Sequence, residues 1–349
     1  MAGIVAVSAV LPEFVHPQSD ITEALVAGLG ADEKTATVIR RVHAATGVNT
    51  RHLVMPIAEY RALDGFTHAN RLFRELGLPL IERAVREALD TASLAAEDID
   101  FLFFTTVTGV GAPSLDTELI HAVGLRPDIK RIPSFGLGCV AGASALARVA
   151  DLLKGHPGAT ALVVSIELCS LTVQWDDRSM ANIVGTGLFG DGASAVVMVG
   201  ADHPAPAFAD VVGSRSALYP ESLDAIGWTI GSFGFRLMLT AAVPELIASS
   251  LAADLDQLLE DHRLERSDID VWVAHPGGPR ILEAFSDSLG LEPADLAVSW
   301  DVMAEVGNLS SSAVLHVLQR QDRHPSGHKG VLFAVGPGVS AELVLLEWT

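Results

Sequence analysis

Cysteine is almost absent from this chain: Cys139 and Cys169 are the only two, too few for a disulfide framework, and both are expected to stay reduced. Basic residues are scarce as well, 23 Lys and Arg against 43 Asp and Glu, for a formal charge of -20. That balance repels phosphate backbones and argues against DNA or RNA as a partner. No apolar run reaches the roughly 18 to 20 residues that a spanning helix needs. The most apolar stretch, 159–173, is broken by Ser165, Glu167 and Ser170. No basic segment precedes the apolar start MAGIVAVSAV, so no signal peptide is expected. Glycine and proline form no low-complexity tracts. These absences lead to the expectation of a cytoplasmic protein with no membrane span.

What is present is a globular composition, 49% apolar and 19% charged over 349 residues, enough for a large core in one large domain or two ordinary ones. The chain also echoes itself. AAEDIDFLFFTTVTG begins at Ala95 and ERSDIDVWVAHPGG at Glu265, each an acidic turn, the triplet Asp-Ile-Asp and a strand-like run; Asp98 and Asp268 stand 170 residues apart. A helical pattern precedes each copy, and an LGL-like turn with proline follows, at 123–127 and 289–293. The run 161–165 has its counterpart in 331–335. Two similar α/β halves, 1–205 and 206–349, are therefore expected, with sheets buried between helices and a cleft where both halves contribute.

Three polar residues stand where such a fold exposes chemistry. Cys139, in FGLGCVAG, follows a glycine turn and precedes an alanine-rich helical run; a helix N-terminus favours a thiolate, the setting of a nucleophile, the alternative being a small buried thiol in a core helix. His275 ends the apolar run 271–274 and is followed by Pro276-Gly277-Gly278-Pro279, which turns the backbone sharply away. Asn308, in GNLSSSAV, stands at nearly the repeat-equivalent place of Cys139. Its amide could donate to a developing oxyanion, or it could simply cap a helix.

Taken together, GLGCVAG, GLFGDGAS at 187–194, AHPGGPRIL at 274–282, GNLSSSAV at 307–314 and VGPGVSAE at 335–342 resemble the type III polyketide synthases, the chalcone synthase-like branch of the thiolase superfamily. The resemblance implies a thiolase-like α/β fold of two similar αβαβα halves with mixed sheets. It implies an acyltransferase in which Cys139 holds an acyl group from a coenzyme A thioester, and His275 and Asn308 stabilise the enolate formed when malonyl-CoA loses carbon dioxide. No metal or redox cofactor is implied, coenzyme A thioesters being substrates, and a homodimer is expected. A ketoacyl-synthase-III-like condensing enzyme shares the Cys-His-Asn set but usually lacks HPGGP and GPG. A non-catalytic acyl-CoA-binding homologue is the other alternative.

The resemblance carries further residues. Phe189 and Phe235 would line the gate to the cavity, Phe233 being the competing match for the second. Gly336, Pro337 and Gly338 would shape the cavity floor, Thr172 would tune its volume, and Ser310 would line it. Some naphthalene-forming bacterial members carry cysteine at the place of Thr172, so an alkylpyrone or alkylresorcinol built on a fatty acyl starter is the expected product. Of the basic residues that hold coenzyme A in plant members, Arg41 matches while Val38 and Ala45 do not; Arg40 and Arg51 are the remaining candidates. Ala112 replaces a methionine that reaches the partner subunit in plant members.

Overall fold

Alternation along each strand sorts the side chains into layers. In Phe101–Thr106, Phe101 and Phe103 join one cluster while Leu102 and Phe104 join another; in Thr160–Leu168, Ala161 and Val163 go one way and Leu162, Val164, Ile166 and Leu168 the other. Successive residues of a strand point to opposite faces, so runs that are apolar at every position are buried on both. The computed structural model describes residues 1–349.

The N-terminal half contains β1 (Ala2–Val10), β2 (Phe14–Pro17), α1 (Gln18–Gly28), α2 (Glu33–Ala44), β3 (Thr50–Leu53), α3 (Gly65–Ala92), β4 (Phe101–Thr106), α4 (Asp116–Val123), β5 (Lys130–Phe135), α5 (Ala141–Lys154), β6 (Thr160–Leu168), α6 (Met180–Leu188) and β7 (Asp191–Val199). The C-terminal half contains β8 (Ala209–Leu218), β9 (Ile226–Gly231), β10 (Gly234–Leu239), α7 (Val243–Asp261), β11 (Val271–Ala274), α8 (Pro279–Leu289), α9 (Ala297–Val306), α10 (Ala313–Gln319), β12 (Lys329–Gly336) and β13 (Ser340–Trp348).

Strand order is β11-β12-β13-β8-β1-β7-β6-β4-β5 in one mixed sheet, with β1 and β8 meeting antiparallel at the centre. Outward from that join the halves match strand for strand, β1-β7-β6-β4 against β8-β13-β12-β11; only β5 has no counterpart. The two wings fold back on α5 and α10, whose residues share one core cluster with the inner faces of both wings. Helices α3 and α4 cover the outer face of one wing, and α7 and α8 that of the other. The result is five layers, α-β-α-β-α, shared by both halves. The first two turns of α5, 141–147, are buried on every side and must be apolar or small around their circumference, which explains the alanine run; Arg148 and Asp151 beyond them are exposed.

The Asp-Ile-Asp echo has a physical basis. Asp98 accepts from Ala95 N and Asp268 from Glu265 N, each at 2.8 Å; Asp100 accepts from Thr160 N and Asp270 from Lys329 N, each at 2.9 Å. In both halves the first aspartate closes a turn and the second clasps the neighbouring parallel strand. Gly124 and Gly290, which end α4 and α8, both adopt left-handed φ (79° and 69°), a conformation that favours glycine. No helix is long and apolar enough to cross a membrane.

Candidate active site

Cys139 stands on a single 3-10 turn, Gly138–Val140, between β5 and the start of α5. Gly136 and Gly138 have φ of 103° and 57°, which side chains resist, and a Cβ on Gly138 would stand 2.6 Å from Pro337. His275 follows β11 directly, its N–H donating to Phe333 O at 2.9 Å and its carbonyl accepting from Gly277 N at 2.8 Å. Despite its apolar run, the strand before it is not central: β11 is an outer strand of the sheet, paired only with β12 and covered by helices, and the tight turn after it holds the imidazole at the strand end. Asn308 lies between α9 and α10; its Oδ1 accepts from Ser310 N (2.8 Å) and its Nδ2 donates to Gly277 O (3.2 Å). One amide N–H therefore remains for a ligand.

All three side chains line one cavity of about 410 Å³, together with Phe189, Leu188 and Val335. They are buried, Cys139 at 7%, His275 at 1% and Asn308 at 2% exposure. Neither ring nitrogen of His275 has a hydrogen-bond partner within the protein. A buried polar group without a partner costs about 1–3 kcal/mol, so a ligand oxygen that accepts from this ring relieves a standing penalty. Burial pushes the imidazole down to about 3, which keeps it neutral at pH 7, with one N–H to give.

Burial likewise pushes the Cys139 thiol up to about 12; Ser310, Asn308 and the cysteine's own backbone N–H pull it down, and Glu167 pushes it up. The helix end expected from the sequence is in place, but burial outweighs it. The sulfur depends on neighbours that can take its proton or share its charge. Ser310 Oγ accepts from Sγ at 3.7 Å, and Ser310 itself adopts a left-handed φ of 50°, supported by the Asn308 side chain.

Several sequence candidates lie elsewhere. Phe235 does not line the cavity of Cys139. It belongs to an aromatic cluster with Phe66, Trp228 and Phe135 and walls a separate cavity of about 240 Å³. Two residues farther along β10, on the same face, Leu237 lines both the main cavity and a small side pocket of about 80 Å³, and Phe189 does the same. On β10 it is therefore Leu237 that shares both pockets with Phe189, and Leu239 lines the main cavity as well. Phe233 stacks under the Arg236 guanidinium at 4.3 Å. Thr172 walls the side pocket and the aromatic cavity, not the main cavity. Gly336, Pro337 and Gly338 do not line the cavity either; a Cβ on Gly336 would meet Leu137 O at 2.7 Å, so the loop packs behind the cysteine turn and supports it.

The basic residues also sort differently. Arg40 is committed to Glu23 and Arg51 is buried in the protein interior. Arg41 is exposed on α2 beside the mouth, where Val42, Ala45 and Thr46 form the wall. Arg280, exposed at the start of α8, lines the mouth itself; it stands inside the HPGGPR segment, far in sequence from the early helix that the resemblance points to. Glu167, read from sequence only as a break in an apolar strand, is fully buried and accepts from Ser311 Oγ (2.5 Å), Thr108 Oγ1 (2.8 Å) and Val107 N (3.1 Å). Burial pushes its carboxyl up to about 7. Cys169 is a buried free thiol beside the side pocket.

Comparison with known proteins agrees with this arrangement. Residues 1–203 match the family of chalcone and stilbene synthases, N-terminal domain, and residues 210–348 the corresponding C-terminal domain. A 1,3,6,8-tetrahydroxynaphthalene synthase of Streptomyces peucetius is 47% identical over 99% of this chain and 93% of its own length. The alpha-pyrone synthesis polyketide synthase-like Pks18 of Mycobacterium tuberculosis is 34% identical over 96% of this chain and 88% of its own. The crystal structure of a tetrahydroxynaphthalene synthase from Streptomyces coelicolor superimposes with a TM-score of 0.93 at 32% identity, covering 99% of both chains. With both family domains matched in order over almost its whole length, the chain belongs to the chalcone synthase-like type III polyketide synthases, condensing acyltransferases with a thiolase-like fold.

Proposed function

We propose that Cys139 loads an acyl group from a coenzyme A thioester and that malonyl-CoA extends it by decarboxylative Claisen condensation. The observation that carries this reading is the convergence of a thiol, an unpartnered imidazole and an amide with one free N–H on a single cavity. Cys139 Sγ attacks the starter thioester carbonyl as His275 accepts the thiol proton; the proton passes to the departing coenzyme A thiolate. The malonyl thioester oxygen then takes hydrogen bonds from the neutral His275 ring and Asn308 Nδ2. Loss of carbon dioxide leaves an enolate held by these donors. Its carbon attacks the Cys139-bound acyl carbonyl, releases the cysteine sulfur and gives a β-ketoacyl thioester of coenzyme A, ready for another round. The exposure of Arg280 at the mouth and of Arg41 beside it supports reading them as the cations that meet the anionic nucleotide of coenzyme A.

For the product, the leading reading is an aromatic polyketide assembled from malonyl units, as the name of the 47% identical relative suggests: tetrahydroxynaphthalene has ten ring carbons and no alkyl substituent. The small volume of the side pocket, about 80 Å³, supports a starter without a long tail. The expected alkylpyrone or alkylresorcinol is the second reading. It is favoured by the apolar character of that pocket and of the aromatic cavity beyond Thr172, which a fatty acyl tail could occupy if Val173 and Trp175 parted.

Carbon dioxide release from malonyl-CoA by purified protein tests the chemistry. His275→Ala is expected to lose about 100-fold or more in this step, the usual cost of removing one such donor, while Cys139→Ala loses all extended product and keeps some release. Undiminished activity in both variants removes the proposed site. Mass spectrometry of incubations with malonyl-CoA alone, then with added fatty acyl-CoA, separates the products. A ten-carbon aromatic from malonyl-CoA alone supports the first reading, and extended pyrones that form only with a fatty starter support the second.

A further inference from the structure

The last turn of a helix leaves carbonyls without intrahelical donors. At the end of α6 each of them finds one: Gly185 O accepts from Phe189 N (2.9 Å), Thr186 O from Arg51 Nη1 (2.5 Å), Gly187 O from Gln18 Nε2 (2.6 Å) and Leu188 O from Asn308 N (2.9 Å). Arg51 Nη1 also reaches Phe189 O (2.8 Å), and its Nη2 donates to Gln18 Oε1 (2.9 Å). Phe189 and Asn308 then pair as a short parallel bridge, Gly190 N donating to Asn308 O at 3.0 Å. The stem of Arg51 fills the space beside this bridge: a Cβ on Gly307 would stand 3.3 Å from Arg51 Cγ and Cδ and 2.6 Å from Leu188 O. Arg51 is 2% exposed, and Asp191, fully buried, supplies the nearby negative charge.

We propose that Arg51 is a positioning residue for the condensation: its guanidinium caps α6 and so sets the gate side chain Phe189 and the backbone of Asn308 in one register. A cation at a helix C-terminus is favourable in itself, and the planar fork of arginine serves Thr186, Phe189 and Gln18 at once, which the single ammonium of lysine does not. The consequence is that the gate and the enolate donor move together or not at all. The proposal rests on the reading above that Asn308 holds the enolate oxygen, and it removes Arg51 from the residues available to coenzyme A.

Arg51→Met and Arg51→Lys, purified as full chains, test it through two readouts: carbon dioxide release from malonyl-CoA and the rate at which iodoacetamide alkylates Cys139. A displacement of about 1 Å in a catalytic group costs about 100-fold. Arg51→Met is therefore expected to lower kcat of release by about 100-fold and Arg51→Lys by about tenfold, with KM for malonyl-CoA within about threefold and alkylation within about twofold of wild type. Unchanged release, or release and alkylation falling by the same factor as folded protein is lost, overturns the proposal. Should neither variant fold, Gln18→Met removes the neighbouring cap and leaves Arg51 in place; a fall in kcat of about tenfold with normal alkylation supports the proposal, and an unchanged kcat overturns it. A wild-type protein that releases no carbon dioxide overturns the functional reading and this proposal with it, whereas wild-type release with unchanged variants overturns this proposal alone.

Discussion

Cys139, His275 and Asn308 each stand beside a glycine turn, but singly each keeps a structural reading; only as a set do they stand out, and the fold brings all three to one cavity. Apolar gate residues carried no such signature. The resemblance points to Phe235 as the match to a family phenylalanine, yet Leu237, two residues along the same strand face, lines the cavity; for closing a wall, any apolar side chain of sufficient volume serves. Burial also sets titration at this scale. His316 is fully enclosed, and burial pushes its imidazole down to about 3 from its ordinary 6.5. Below pH 6.5 the unfolded chain takes up a proton that the folded chain refuses, so this contribution to stability is present above 6.5 and is lost as the pH falls toward 3. Between about pH 7.5 and about pH 5 the loss is about 2 kcal/mol. Denaturant titration at both values is expected to show a smaller acid loss for His316→Gln than for wild type. Glu167 and Asp191, whose carboxyls burial pushes up to about 7 and about 6, act with the opposite sign in both proteins and drop out of the difference. An equal acid loss in the two proteins would show that His316 titrates freely in the folded state.

Among the elements, the closest approach near the site is between α5 and the turn that precedes α10. A Cβ on Gly142 would stand 2.3 Å from Ser311 O and 2.9 Å from Val314 Cγ1. Helix propensity alone favours alanine over glycine by about 1 kcal/mol, whereas overpacking a core costs about 1–3 kcal/mol. The obstacle here is backbone, which cannot rotate away, so the clash prevails. Gly142→Ala is expected to lower the denaturant midpoint with an unchanged m-value and to reduce carbon dioxide release, because Ser311 follows Asn308 by three residues. A raised midpoint would mean that the two elements separate without cost. The helical character of α5 was readable from its alanine-rich run, and the strand character of β4 and β6 from short continuous apolar runs. That GPG supports the cysteine turn from behind was not, since close packing of two loops from opposite halves leaves no periodic trace.

For the whole molecule, β5 is one edge of the nine-stranded sheet, β11 being the other, and pairs only with β4. Ile132 and Phe135 on it are 37% and 47% exposed, and Val110 in the adjoining loop is 37% exposed. An open edge with exposed apolar side chains invites another chain, and a second copy is the occupant we propose. Sedimentation velocity is expected to show a dimer for the wild type and a monomer for Phe135→Asp; a monomeric wild type would dismiss the dimer. The amino-acid sequence by itself determined the doubled α/β plan, through the repeated Asp-Ile-Asp triplet, the LGL-like turns and the matching apolar runs, because these obey local rules acting within a few residues or across one strand pair. It also singled out Cys139, His275 and Asn308, which the fold brings to one cavity, through the set of motifs they form together. Only the tertiary structure decided which neutral side chains wall the cavity, that burial governs the thiol, and that Arg51 serves α6 and not a coenzyme A phosphate. Those outcomes depend on which distant segments meet and how completely they exclude water, and neither quantity is written in the spacing of residues along the chain.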